Sequence, residues 1–127
     1  MNTHETYVSL EVAMLLKQAG FDWNTYNGYN ENGKFADKCR NLIDWNDFDD
    51  FYSAPPLAVA QRWLREVKGY ILEITAVRQN PDDVYKTYIG YWYNIFEEGK
   101  CGHYDTYEEA LEAGIKKVLE IILEKRE

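Results

Sequence analysis

Cys101, His103 and Asp105 stand two residues apart in a short run that reads as a strand. A regular strand turns alternate side chains to one face, so this spacing predicts all three on the same side. They are the residue types of a nucleophile, its base and the group that orients the base. The distances oppose that chemistry. Neighbours two apart along a strand lie roughly 6.6 Å apart at the backbone, whereas a nucleophile and its base must meet at about 3 Å. Catalytic triads draw their members from different elements for this reason, and the expectation here is a half-exposed edge strand. As a zinc site, Cys101 and His103 have only Cys39 and His4 to add, far off in sequence and without the spacing of a four-ligand set.

The acidic stretch Asp44-Trp45-Asn46-Asp47-Phe48-Asp49-Asp50 raises calcium. An EF-hand loop needs oxygen ligands at its first, third and fifth positions and glycine at the sixth. Counted from Asp44, the fifth is Phe48 and the sixth Asp49, so the pattern fails. A solvated loop pinned by its aromatics and an irregular calcium site are the two readings left. Phosphate-loop, dinucleotide, serine-hydrolase and metalloprotease signatures do not occur. No catalytic residue, metal ligand or cofactor is assigned, and the expectation is a protein that is not an enzyme.

The elements that would position these residues follow from pattern. Ser9 is a good N-cap, Val12, Leu15, Leu16 and Ala19 follow at helical spacing, and Gly20-Phe21 suits the end. Asn32-Gly33 predicts a type I′ turn between Tyr26–Asn30 and Lys34–Asp37. Pro55-Pro56 opens a second helix striped by Leu57, Ala60, Trp63, Leu64 and Val67, and Gly69 ends it. Tyr70–Val77 alternates as a strand, Asn80-Pro81-Asp82-Asp83 turns it, and a second strand runs from about Thr87 to Glu97. Glu98-Gly99-Lys100 turns that strand into the third. Thr106 and Glu109 form a capping box for a last helix, striped by Leu111, Ile115, Val118, Leu119 and Ile122. Gly114 inside that helix predicts a close approach to the sheet.

The fold expected is a single α+β domain over residues 1–127. It is a three-stranded antiparallel sheet with two helices on one face, in α-β-β-β-α order, preceded by an N-terminal helix and a short hairpin. That hairpin and helix are expected to extend or cover the sheet.

Half of the residues from Tyr85 to Phe96 are aromatic. Along the middle strand Tyr91 and Tyr93 share one face with Ile89 and Ile95, and Tyr88, Trp92 and Phe96 share the other. A sheet with one wet face needs large rings on one side only. Tyr91 and Tyr93 read as core. Tyr88, Trp92 and Phe96, with Glu73 beside them, read either as a protein contact or as a floor covered by the N-terminal region.

Composition limits the partners. The chain has 127 residues, 46% of them hydrophobic, and a net charge of −8. That balance disfavours phosphate backbones and anionic membrane surfaces, and Glu97, Glu98, Asp82 and Asp83 flank the aromatic strand. Nucleic acid and membranes are therefore not expected as partners; a protein partner or self-association is. No apolar run approaches the roughly 20 residues that cross a bilayer, and no signal-peptide core follows the first residues. Two cysteines without a framework spacing agree with a cytoplasmic setting.

Three resemblances bear on function. The last helix–three strands–helix has the element order of double-stranded-RNA-binding domains, but Glu108, Glu109 and Glu112 stand where those carry basic residues. Asp105-Thr106-Tyr107-Glu108-Glu109-Ala110-Leu111-Glu112-Ala113 resembles the strand-to-helix segment of HicB-type antitoxins, which closes a small toxin-binding sheet domain. The glycine- and proline-rich segment that usually precedes it is absent here. Taken whole, the chain resembles uncharacterised small proteins carried by prophages and mobile elements of gut bacteria. The matching pieces are Leu15-Leu16-Lys17 to Gly20-Phe21, Ala54-Pro55 before Trp63-Leu64-Arg65-Glu66, and Tyr107 to Ala113. The expectation is a small acidic protein-interaction module of phage or mobile-element origin. The alternative is an antitoxin-like or nucleic-acid-mimicking inhibitor of a basic protein.

Overall fold

The computed structural model describes residues 6–36, 42–78 and 88–125. Its described residues form three helices and two three-stranded antiparallel sheets, an α+β architecture. Helix α1, Leu10–Gln18, begins where the Ser9 hydroxyl accepts the Val12 N–H at 3.3 Å. It ends at Gly20, whose φ of 94° lets the Phe21 N–H return to the Leu16 carbonyl at 2.9 Å. Phe21 is thereby folded into the core.

The first sheet joins β1, Gly28–Tyr29, to β2, Phe35–Ala36, and to β3, Tyr52–Ser53, in the order β2-β1-β3. The expected hairpin therefore gains a third strand from a stretch that reads as loop. Its turn also differs from the type I′ expected. The Gly33 N–H bonds the Asn30 carbonyl, and of Asn32 and Gly33 only the glycine has a positive φ. The Asn30 side chain accepts both the Asn32 and the Lys34 N–H at 2.9 Å, closing the turn without a left-handed asparagine. Asp37 lies outside the described residues.

Helix α2, Leu57–Glu66, follows the prolines, and three strands follow it. They are β4, Leu72–Arg78, β5, Tyr88–Ile95, and β6, Gly99–Tyr104, in the order β4-β5-β6. The turn predicted at Asn80–Asp83 lies outside the described residues. The β5–β6 turn falls on 96–98, earlier than expected, and holds Glu97 left-handed at φ 68°. Helix α3, Tyr107–Lys125, starts where the Thr106 hydroxyl accepts the Glu109 N–H at 3.1 Å.

Helix α3 packs against all three strands of the second sheet. Gly114 makes the approach, since a Cβ there would lie 2.6 Å from Leu72 Cδ1 and 3.1 Å from Tyr93 Cβ. Helix α2 packs on α3, its Trp63 set edge-on to Phe21 at 5.2 Å. It touches the sheet at the β4 edge, where the Gln61 amide donates to the Leu72 carbonyl at 2.7 Å. Helix α1 packs on α3 and β3, and the Glu112 carboxylate of α3 accepts the Ser9 N–H at its start at 2.7 Å. All three helices and the inner face of the sheet meet in one hydrophobic cluster.

Candidate interaction surface

Backbone pairing fixes which side chains share each face of the second sheet. Leu72 pairs with Ile95, Ile74 with Tyr93, and Tyr93 with Cys101. These form the face under α3, where Leu72, Tyr93 and Ile95 are buried. The other face carries the rows Thr75–Trp92–Gly102 and Glu73–Asn94–Lys100. One step further, the Phe96 N–H bonds the Ile71 carbonyl at 3.0 Å, so these two end the grid as a pair. Phe96 is 61% exposed and Ile71 43%.

The α1 helix and the first sheet do not cover this face among the described residues, for α1 packs on α3 and β3 instead. Glu73, Thr75 and Lys100 are exposed and Trp92 and Asn94 half-buried. The Trp92 indole lies on the sheet over Gly102, where a Cβ would meet its Cδ1 at 2.5 Å. Lys100 Nζ stands 4.9 Å from the ring centroid, in cation–π range. Among the described residues, Trp92 Nε1 is covered and has no hydrogen-bond acceptor. Trp92, Phe96 and Glu73 therefore share one open face, as their spacing predicts. Tyr88 opens β5, and its side chain lies outside what is described. Sequence reasoning missed Ile71 and Lys100, since only the register shows that they join this face.

The Cys101–His103–Asp105 constellation is not formed. Tyr91 pairs with Tyr104 while Trp92 pairs with Gly102, so a β-bulge leaves His103 without an opposite residue. The bulge reverses the alternation. Cys101 stays opposite Tyr93 on the α3 face, whereas the His103 ring lies on the open face, 2.7 Å from where a Gly90 Cβ would stand. Burial first, then hydrogen bonding to and charge on Cys101, push the Tyr93 phenol up to about 12. Among the described residues no group of three or more His, Cys, Asp and Glu is placed to hold a metal ion; Cys39 and His4 lie outside them.

The acidic stretch is organised around a cation of the protein itself. Lys17 Nζ, in the last turn of α1, donates to the carbonyls of Phe48, Asp49 and Phe51 at 2.7, 2.9 and 2.9 Å. Its three protons are thus satisfied by main-chain oxygens. The ammonium also stands 5.0 Å from the Tyr52 ring centroid. The Asp44 carboxylate accepts the Asn46 N–H, and Asn46 in turn donates to the Phe21 carbonyl and accepts from the Ser53 N–H. Burial, then repulsion from Asp47 and Asp22, raise the Asp44 carboxyl above its usual range against the pull of that hydrogen bond and of Lys17. Asp47, Asp49 and Asp50 remain exposed around Phe48, itself 52% exposed.

No helix among the described residues is long and apolar enough to cross a membrane. No protein-family model matches the chain, and neither the curated proteins nor the solved structures give a significant match.

Proposed function

We propose that this chain is a non-enzymatic protein-interaction module of phage or mobile-element origin, acting in the cytoplasm. Its recognition surface is the open sheet face carrying Trp92, Phe96 and Glu73. The observation behind this reading is a large indole lying on a sheet face that no other described element covers, beside the exposed apolar side chains of Phe96 and Ile71. Aromatic rings without a covering layer are also the composition that interface cores favour.

The test uses Trp92→Ala and Phe96→Ala in affinity capture and in sedimentation. Both variants should keep cooperative unfolding while losing the protein, or the self-association, that the wild type shows. Unchanged association in both variants, or loss of the fold in both, removes the reading.

The exposed Asp47, Asp49 and Asp50 favour one alternative, an antitoxin-like or nucleic-acid-mimicking inhibitor of a basic protein. Lys17 is the cation held at the centre of this loop, and Asp47, Asp49 and Asp50 point their charges outward around it. Binding of that kind collapses between low and high salt, because exposed charges are screened within about 8 Å at physiological ionic strength. Binding through the Trp92 and Phe96 rings would weaken far less.

A further inference from the structure

The open face is charged in a pattern that its own copy complements. In the row Glu73–Asn94–Lys100 an acid on β4 and a base on β6 flank the central strand β5. Consider two such sheets face to face, about 10 Å apart, related by a two-fold axis running along β5 midway between them. The operation carries β4 of one copy over β6 of the other. Glu73 then meets Lys100 of the second copy, and Lys100 meets its Glu73, with side chains long enough to span the gap. The other in-plane axis, perpendicular to the strands, carries β4 over β4 and β6 over β6. Centred on this row, it would set like charges together.

The same operation brings Thr75 of the second copy over the Trp92 indole, which lies on Gly102 of the first, so the ring is covered on its outward side. Along the axis Asn94 meets its own counterpart, and two primary amides can pair by mutual donation. Phe96 meets Phe96 at the end of the grid.

We infer that the partner of this face is a second copy of the chain, docked sheet on sheet about a two-fold axis parallel to β5. The inference rests on the proposed recognition role of the face and names its occupant. Three strands about 4.8 Å apart give a patch below the roughly 1,200 Å² at which specific interfaces begin, so the dimer is weak and reversible and is sought by sedimentation up to about 1 mM.

The deciding experiment is a charge swap between copies. Glu73 and Lys100 are exposed, so Glu73→Lys and Lys100→Glu should each leave the thermal unfolding midpoint within a few degrees of wild type. Each variant alone places two like-charged pairs across the interface and should dissociate at concentrations roughly tenfold or more above wild type. Mixed in equal amounts, the two variants should form a heterodimer about as tight as the wild-type dimer, because both cross-pairs are restored. A wild type that stays monomeric to about 1 mM, or variants that do not recover on mixing, overturns the inference. If a monomeric wild type still captures another protein and Trp92→Ala abolishes that capture, self-docking fails while the recognition role stands. If Trp92→Ala alters neither capture nor mass, both fall.

Discussion

Replacing Gly114 with alanine should destabilise the fold, although the same change inside an ordinary helix stabilises it by about 1 kcal/mol. The reason is the closeness of α3 to the sheet. The new methyl would lie 2.6 Å from Leu72 Cδ1, 3.1 Å from Leu72 Cδ2 and 3.1 Å from Tyr93 Cβ. Carbon atoms rest at about 3.5–4.0 Å, so the leucine tip must retreat by roughly 1 Å. Leu72 is only 4% exposed and has little room to do so, and Tyr93 Cβ is held by the backbone of the central strand. Overpacking of this degree costs about 1–3 kcal/mol, which exceeds the gain in helix propensity and leaves a net loss of about 1 kcal/mol. Urea unfolding of four chains measures it: wild type, Gly114→Ala, Leu72→Ala and the double variant. In the Leu72→Ala background the closest obstructing atoms are gone and only the 3.1 Å approach to Tyr93 Cβ remains, so Gly114→Ala should become nearly neutral. The coupling between the two sites should then be about 1–2 kcal/mol, within the range of contacting residues. Stabilisation by Gly114→Ala with Leu72 intact would show that α3 does not sit this close, and the inner face would have to be redrawn.

Other consequences follow from single contacts. Lys17→Ala removes three charge-assisted hydrogen bonds to the 48–51 backbone and should cost about 2 kcal/mol in chemical denaturation, with faster proteolysis at that loop. Lys17→Arg should not restore it, because a planar guanidinium cannot aim three donors as an ammonium does; full rescue by arginine would refute the cradle. Asp44→Asn should stabilise the chain near neutral pH by a few tenths of a kcal/mol. The raised carboxyl makes its ionised form the poorer one in the fold, so stability is lost as pH rises through that raised value, and the amide keeps the acceptor for Asn46. Destabilisation at neutral pH would contradict the argument. Tyr93 retains its proton to about 12 when folded against 10 ordinarily, so its stabilisation is complete below pH 10 and lost as pH rises from 10 to 12. Tyr93→Phe should flatten that alkaline slope without abolishing it, since Tyr29 and Tyr104 are shifted the same way. Equal slopes for the two chains between pH 9 and 11 would contradict the assignment.

What was legible in the sequence was local. The Ser9 cap, the Gly20-Phe21 ending and the Thr106 cap each depend on a few neighbouring residues and are found where their chemistry places them. Period-two alternation likewise placed Tyr93 inward and Trp92 outward. Features that depend on pairing between distant strands were not legible. The bulge that carries His103 to the opposite face from Cys101 arises from register, and one inserted residue reverses a parity argument. Lys100 and Ile71 join the candidate surface through the same register. The cation at the centre of the acidic stretch was invisible for a related reason. Lys17 reaches main-chain oxygens, which every residue possesses, so no side-chain pattern announces it.

Trp92 bears most on why the open face matters. For the isolated chain a smaller polar residue would satisfy an outward strand position without leaving an indole N–H unmade. The sheet nevertheless makes room for the ring through Gly102, and β-strand interiors are weakened by glycine. Lys100, free to extend into solvent, lies against the ring instead. These three positions together favour a flat, covered indole in the middle of a sheet face. The space over Gly102 is filled by the chain's own indole, so the glycine serves to seat Trp92 flat on the sheet. Core packing does not explain it, for the core of this protein lies on the other side of the strands, beneath α3.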